Sequence, residues 1–265
     1  MQRIADAAPV YYRFEQWANE TAFQHGVFTR LGGSSYAPFD SLNVGGTVGD
    51  DLVNVRHNLA RIYETLGVLG DAACTVWQVH SADVIAVTSK PVGRHWLARA
   101  DAMITDRPEL PLTMRFADCT PIMLYDPQHR AIGIAHAGWR GTVQQIAAKT
   151  IQAMQAAYDT DPRVVQAAIG PSIGPEKYQV GEEVVAAVRE AFGTIDGLVR
   201  RAKDGTAYLD LWAANRRSLE QAGLRAEHIE VSGICTASRT DEFYSHRAER
   251  GRTGRFCAVI ALRAR

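Results

Sequence analysis

The chain of 265 residues has 29 basic and 29 acidic side chains, so its formal charge at pH 7 is zero. This balance argues against a general nucleic-acid-binding protein, which is usually basic, although a local cluster could still bind a small anion. Hydrophobic residues make up 46% of the chain, which is enough for a sizeable core and argues against disorder. The four cysteines lack C-x-x-C spacing, and neither a signal-like amino terminus nor a membrane-length apolar stretch occurs. We therefore expect a soluble protein of the reducing cytoplasm.

The amino-terminal part of the chain predicts one strand, two glycine-containing loops and one helix. Residues 21–30 predict a strand that leads into the loop 31–35, which is as consistent with a simple turn as with a ligand site. Residues 43–46 form the second loop. Asp50 or Asp51 can cap the helix that follows, because apolar residues then recur at three- and four-residue steps at Leu52, Val55, Leu59, Ile62 and Leu66.

Short apolar runs in the next part of the chain predict strands. Residues 74–80 predict a buried strand that ends on His80, and residues 84–87 predict a second strand. Residues 93–100 predict a surface loop with His95 in solvent. Two further strands are expected at 101–105 and 112–116.

The middle of the chain predicts a β-hairpin with chemically useful residues at one end. Two apolar runs, 121–125 and 131–135, flank a polar segment that begins with Asp-Pro. Cys119 precedes the first strand and His136 follows the second, so the hairpin brings a thiol and an imidazole to the same end of the sheet. Either could be structural, since a cysteine is often only a small buried hydrophobe. Their pairing favours an active site.

The segment that follows His136, from Ala137 to Thr142, combines small residues with Trp139 and Arg140. Small residues allow close approach of the backbone to a ligand, and the start of the next helix offers free N–H groups to an anion. We therefore expect an anion site beside the thiol and the imidazole.

His80 offers a third metal ligand beside Cys119 and His136. A Cys-His-His set leaves one tetrahedral position open, which is typical of a catalytic zinc, where bound water has a pKa of about 7. The spacing matches no short zinc signature, so His80 could instead be a hydrogen-bonded core histidine. Copper is possible on ligand softness, but the sequence shows no second copper set.

The carboxyl-terminal half predicts three helices and three strands. Helices are expected at 142–158, around Val184 to Phe192, and at 211–222 before Gly223. Strands are expected at 164–169, 229–231 and 256–262. The chain has no linker, low-complexity tract or internal repeat. Together the elements predict a single α+β domain over residues 1–265, with mixed β-sheets flanked by helices.

Ordered motifs along most of the chain make it resemble the YfiH-like family, also called the polyphenol oxidase-like or laccase-domain family. The similarity extends from His25 to Leu262. It rests on HGVFTRLGG at 25–33, SLNVG at 41–45, VGDD at 48–51, WQVH at 77–80, ADAMITD at 100–106, ADCTPIMLYD at 117–126, AHAGWRGT at 135–142, IGPSIGPEKYQVGEEV at 169–184, FYSHR at 243–247 and TGR at 253–255.

The resemblance implies a single layered α+β domain, related in fold to toxin-type cysteine hydrolases. It implies a zinc site at His80, Cys119 and His136, which would be the catalytic residues. It also implies phosphorolysis of adenosine, inosine, guanosine and methylthioadenosine, together with deamination of adenosine. Some family members are named polyphenol oxidases, and some are linked to editing of peptidoglycan precursors.

For the reaction, we expect a zinc-activated water to attack C6 of the purine in deamination and phosphate to attack C1′ of the ribose in phosphorolysis. The expected substrate- and phosphate-binding residues are Arg140, Arg247, Ser245 and Asn43. Arg255 offers another guanidinium near the carboxyl end. The expected partners are a purine nucleoside and phosphate, without nucleic acid or membrane, and the protein is expected to be a monomer or a weak homo-oligomer. Phe39 or Tyr244 is a candidate for stacking on the purine.

Three positions depart from the family pattern. Leu59 stands where arginine is usual, Gln179 replaces a usual glutamate, and the loop at 34–36 differs mildly. The first two concern the substrate range. Four other functions remain open: a cysteine hydrolase or deamidase with Cys119 as nucleophile and His136 as base, a copper polyphenol oxidase, a peptidoglycan-precursor editing factor, and a metal-stabilised partner-binding domain.

Overall fold

The part of the chain described by this computed structural model, residues 1–6, 8–93 and 96–264, contains three β-sheets and five α-helices. The five-stranded sheet has the order β1 (Gln2–Ile4), β2 (Tyr11–Arg13), β3 (Phe23–Phe28), β14 (Phe256–Leu262), β6 (Leu112–Phe116). The six-stranded sheet has the order β13 (Ile229–Val231), β9 (Gln166–Ile169), β7 (Thr120–Asp126), β8 (Ala131–Ala137), β5 (Ala102–Thr105), β4 (Val84–Ala86). The small sheet has the order β10 (Gln179–Val180), β12 (Ala207–Leu209), β11 (Val199–Arg201).

The helices are α1 (Leu52–Leu66), α2 (Trp139–Val143), α3 (Ile146–Tyr158), α4 (Glu182–Phe192) and α5 (Leu211–Gln221). Among the described helices, none is both long and apolar enough to cross a membrane.

The two large sheets pack face to face around a shared core. This core combines apolar residues of β3, β6 and β14 from one sheet with apolar residues of β7 and β8 from the other. The outer face of the six-stranded sheet packs against α3 and α5, and the outer face of the five-stranded sheet packs against α1. Because both faces of the central strands are covered, β7, β8 and β14 are buried along their whole length and mostly apolar, without alternation of apolar and polar residues. The predicted α+β fold with mixed sheets and flanking helices is confirmed.

The hairpin predicted in the middle of the chain is present as β7 and β8. The Asp126 carboxylate accepts hydrogen bonds from the backbone N–H groups of Gln128 and His129, which closes the turn. The second strand continues to Ala137, so His136 lies inside β8 and pairs with Pro121. The hairpin therefore presents Cys119 and His136 at one end, as the sequence pattern indicates.

Two predicted elements are wrong in detail. Residues 74–80 do not form a buried strand: Cys74 and Trp77 make only isolated bridges, and His80 is exposed with a positive φ of 61°. The helix predicted at 142–158 is two helices, α2 and α3, because Gln145 adopts φ 63° between them. The prediction for His95 lies outside the described residues. The other predicted helices and strands are present near their expected positions.

Candidate metal centre and its cavity

Three side chains converge at one end of the large sheets. His80 lies on the loop before β4, Cys119 lies between β6 and β7, and His136 lies in β8. One nitrogen of each histidine and the sulfur of Cys119 lie within 4.8 Å of one another. The three residues differ in solvent exposure: His136 is buried, Cys119 is partly buried and His80 is exposed. The sequence-predicted ligand set is therefore assembled in space.

This donor set fits a single transition metal. Zinc–nitrogen and zinc–sulfur bonds are about 2.0–2.3 Å long, so ligand atoms on one ion lie within about 4.6 Å of each other. The separations in the structure are close to that arrangement. All three residues line a cavity of about 600 Å³, which gives a bound ion an open position. Two imidazoles and a thiolate suit zinc, and a fourth position left to solvent or substrate is a general feature of catalytic zinc sites.

The electrostatics favour the metal-binding form of the thiol. Burial raises the pKa of Cys119, but the adjacent imidazoles of His136 and His80 outweigh burial and lower this pKa to about 6. Burial likewise lowers the pKa of His136, but Cys119 and Asp101 outweigh it and raise the pKa to about 9. Cys119 is thus favoured as a thiolate at neutral pH, and entry of a metal would release the proton from His136.

Asp101 supports two of the three ligands. One carboxylate oxygen, Oδ1, lies 2.9 Å from Nδ1 of His136, which leaves Nε2 of that ring for the centre. The other oxygen accepts hydrogen bonds from the backbone N–H groups of Val79 and Ser81, on either side of His80. The fully buried carboxylate therefore fixes both the ring of His136 and the loop that carries His80.

Gly138 and Asp118 shape the backbone around the thiol. A Cβ atom at Gly138 would lie 2.8 Å from the sulfur of Cys119 and 3.2 Å from the ring of His80, so a side chain there would collide with the site. Asp118 has a positive φ of 82°. Its carboxylate accepts hydrogen bonds from the hydroxyl of Thr236 and the backbone N–H of Arg247. Asp118 thereby connects the metal-ligand loop to the loop that carries Arg247.

Four arginines line the same cavity: Arg115, Arg140, Arg247 and Arg255. Within the described residues, none of the four lies in salt-bridge distance of a carboxylate. Arg255 is partly buried, and burial lowers its pKa while Cys119 and Asp118 oppose the change. Arg247 is exposed and donates a hydrogen bond to the carbonyl oxygen of Gln179. A cavity with unpaired guanidinium groups beside a metal site can bind a small anion.

The predicted substrate-binding residues divide into two groups. Arg140 and Arg247 line the cavity, with Arg140 packed on the Trp139 ring and Arg247 over the Tyr178 ring. Asn43 and Ser245 do not line it; both are fully buried. A substrate contact of Asn43 or Ser245 stays a prediction.

Asn43 instead supports the wall of the cavity. Its side-chain oxygen accepts hydrogen bonds from the backbone N–H groups of Gly45 and Arg255, each at 2.8 Å. Its amide nitrogen donates to the carboxylate of Asp50. Ser245 accepts a hydrogen bond from the N–H of Ala248 inside its own turn. Both residues therefore position loops that carry cavity arginines.

Several residues of the site were not assigned from the sequence. Asp101 lies within the ADAMITD motif and Arg115 lies within a predicted strand, and neither pattern indicates a role at the site. The exposed pair Trp77 and Trp96 was also missed, although alternation with the buried Cys74 and Val76 points Trp77 away from the core. Neither candidate for purine stacking, Phe39 or Tyr244, lines the cavity, and Tyr244 is fully buried beneath the guanidinium of Arg30, so stacking by either residue stays a prediction.

The positions that depart from the family pattern lie outside the metal centre. Leu59 is partly buried on α1 and packs against the outer core of the five-stranded sheet. Gln179 is exposed in β10 and contacts Arg247 through its backbone carbonyl rather than its side chain. Neither side chain lines the cavity.

A family model described as "multi-copper polyphenol oxidoreductase laccase" matches residues 24–263. The chain belongs to this family, the YfiH-like or laccase-domain family. It is 38% identical to the purine nucleoside phosphorylase YlmD of Geobacillus stearothermophilus, over 90% of this chain and 89% of the relative. It is 35% identical to the purine nucleoside phosphorylase YlmD of Bacillus subtilis, over 96% of this chain and 95% of the relative.

The fold is shared with solved members of the family. The crystal structure of the hypothetical protein YfiH from Bacillus licheniformis superposes with a TM-score of 0.91 at 34% identity, covering 98% of this chain and 99% of that one. The layered arrangement of sheets and helices is thus the family fold.

Proposed function

We propose that this protein is a zinc-dependent purine nucleoside phosphorylase that accepts adenosine, inosine, guanosine and methylthioadenosine and also deaminates adenosine. Support comes from relatives that are named purine nucleoside phosphorylases and are aligned over nearly the whole chain. The proposed metal ligands are His80, Cys119 and His136, and the proposed phosphate ligands include Arg140 and Arg247.

One observation carries this proposal: the metal-ligand cluster and the unpaired arginines line a single cavity. Phosphorolysis requires phosphate to be held in line with C1′ and its charge to be neutralised, which positioning and fixed cations supply. Arg247 is held in place by the carbonyl of Gln179 and by the ring of Tyr178. Its guanidinium is therefore oriented before a ligand arrives.

The donor set favours zinc over the multi-copper chemistry named by the family description. In the described part of the chain, a single group of three or more potential ligands could hold a metal, whereas a multi-copper enzyme needs more than one ion. When bound, zinc supplies a Lewis acid that lowers the pKa of water. The protein's own contribution is to hold the ligand set and to keep Cys119 as a thiolate.

The test is a nucleoside assay on zinc-loaded protein with and without phosphate. We expect adenosine to give adenine and ribose-1-phosphate only with phosphate, and inosine to form from adenosine in either condition. Chromatography separates the products. Release of adenine that is independent of phosphate would indicate a hydrolase and contradict the proposal.

The variant Arg247→Lys tests the phosphate site. Lysine keeps the charge but loses the guanidinium fork, and loss of a charge-assisted pair is worth roughly 1.5–3 kcal/mol, or about ten- to a hundredfold in rate. We expect that decrease in phosphorolysis, with zinc content unchanged and deamination reduced much less. Arg252→Lys, at an exposed residue outside the cavity, is the matched control. An equal decrease in both activities would assign Arg247 to the nucleoside pocket or to the fold instead.

A cysteine hydrolase is the second candidate, because Cys119, His136 and Asp101 have the order of a nucleophile, a base and an orienting acid. A thiolate bound to zinc is not free to attack, so metal content separates the two functions. Protein that hydrolyses amides without metal and loses this activity in Cys119→Ala would support the second candidate. The expected likeness of the fold to toxin-type cysteine hydrolases stays a prediction.

A further inference from the structure

Two tryptophans stand exposed at the mouth of the cavity. Trp77 is 39% exposed and Trp96 is 47% exposed, whereas Trp17 is completely buried. The rings of Trp77 and Trp96 meet edge to face, with centroids 4.2 Å apart and an interplanar angle of 87°. They line both the main cavity and an adjoining recess of about 420 Å³. Exposed aromatic surface of this kind is costly in water unless a ligand covers it.

The backbone holds both rings in position. The backbone N–H of Trp77 donates a hydrogen bond to the carbonyl oxygen of Ala98, and the backbone carbonyl oxygen of Trp77 accepts one from the N–H of Ala100. The N–H of Leu97, next to Trp96, donates to the carbonyl of Thr75. The two short segments are thus paired, so the ring pair is ordered without being buried.

The aromatic pair lies close to the metal centre. Trp77 precedes His80 by three residues, and a chain of that length spans at most about 10 Å. Beyond the centre, Arg140 follows His136 in the chain, and the backbone of Arg247 is bound by Asp118 beside Cys119. The two tryptophans, the three proposed metal ligands and both arginines thus line one cavity.

We propose that Trp77 and Trp96 form the platform on which the purine base of the nucleoside stacks, while its ribose faces the metal centre and the arginines. This inference rests on the proposed function. A purine presents a flat π face, and stacking on aromatic side chains is the common way that proteins hold such rings. Such a platform recognises the shape of the ring rather than its substituents, which is consistent with the proposed range of adenosine, inosine and guanosine.

The test is calorimetric binding of inosine to zinc-loaded protein without phosphate. Inosine cannot be deaminated, and without phosphate it cannot be phosphorolysed, so binding is measured apart from turnover. We expect Trp77→Ala and Trp96→Ala each to raise the Kd about tenfold to a hundredfold, and the Phe variants to keep most of the affinity. Tyr36→Ala, an exposed aromatic residue outside the cavity, should bind like the wild type. Zinc content should be unchanged in all five variants.

The outcomes separate the platform from the proposed function. Equal affinity of wild type and both Ala variants would overturn the platform, and the phosphate-dependence assay would still decide on phosphorolysis. A loss of affinity in the Ala variants that the Phe variants do not rescue would assign the tryptophans to loop structure, and this too would overturn the platform. Weaker inosine binding in the Ala variants alone, with zinc retained, would support it even if phosphorolysis were not found.

Discussion

At the scale of single residues, Asp101 supports two of the three proposed metal ligands. Its carboxylate binds the ring of His136 through one oxygen and the backbone around His80 through the other. Its own carbonyl accepts a hydrogen bond from the N–H of His136. Burial raises the pKa of Asp101, but contacts with His136 and the loop N–H groups outweigh it, so the pKa is lowered and the carboxylate stays charged.

We predict that Asp101→Asn weakens zinc binding about tenfold to a hundredfold. An asparagine has one acceptor oxygen, so its NH₂ group must face a donor either at His136 or at the loop 79–81. Competition with a chelator measures the affinity, and circular dichroism checks the fold. Asp83→Asn, at an exposed residue nearby, is the control. Unchanged zinc affinity in Asp101→Asn would remove the proposed support.

The candidate centre was only partly predictable from sequence. Cys119 and His136 follow from the hairpin, because strand pairing alone brings them together. His80 could not be placed in this way, since it lies on an irregular loop with a positive φ that no periodicity indicates. Asp101 and Asn43 act through hydrogen bonds to distant backbone groups, and these contacts exist only once the sheets are packed.

At the scale of elements, two neighbouring aspartates at the start of α1 make different contacts. Asp51 is the N-cap, and its carboxylate accepts a hydrogen bond from the N–H of Val53. Asp50 instead binds the side chains of Ser35 and Asn43, at 2.6 and 2.8 Å. The sequence allowed either residue as the cap, and the buried loop that contains Asn43 decides between them.

We predict that Asp51→Ala lowers the free energy of unfolding by about 1 kcal/mol without changing zinc or inosine binding. The exposed side chain acts only on the helix end. Denaturant unfolding gives the stability, and Asp51→Asn, which keeps a capping oxygen, should recover most of it. A loss of inosine affinity in Asp51→Ala would show that α1 is coupled to the cavity.

Element prediction succeeded where burial is uniform and failed where tertiary contacts override local pattern. The strand β14 has the predicted bounds, because seven apolar residues in a row match a strand covered on both faces. The stretch 74–80 mixes apolar residues with Thr75, Gln78 and His80. Its backbone hydrogen-bonds to several separate segments, and hydrogen bonds to Asp101 turn its end outward. The break between α2 and α3 has no glycine or proline to mark it, since Gln145 adopts the left-handed conformation.

At the scale of the whole molecule, strands distant in sequence hold the sheets together. β14 lies between β3 and β6, and the core shared by the two large sheets includes Tyr12 and Leu262. We propose that residues 1–265 form one domain for this reason. Separate folding of the two ends would leave β3 and β6 without their common neighbour.

His25 lies in β3 of the five-stranded sheet and couples the stability of the folded protein to pH. It is almost fully buried in β3 among the rings of Phe14, Trp17 and Phe23. Its Nε2 accepts a hydrogen bond from the N–H of Phe14, which requires the neutral ring. Burial, with a smaller contribution from the charge of Arg13, lowers the pKa of His25 to about 3.

We predict that the protein loses about 2 kcal/mol of unfolding free energy through His25 between pH 7.5 and pH 5. The unfolded chain binds a proton at this histidine below about pH 6.5, whereas the folded protein resists it down to about pH 3. The contribution is therefore complete above pH 6.5 and declines as the pH falls toward 3. Denaturant unfolding at both pH values should show a flatter pH dependence for His25→Gln than for the wild type. Titrations elsewhere, including those of the metal ligands, affect both proteins, so parallel curves would mean that the pKa of His25 is the same in the folded and unfolded protein.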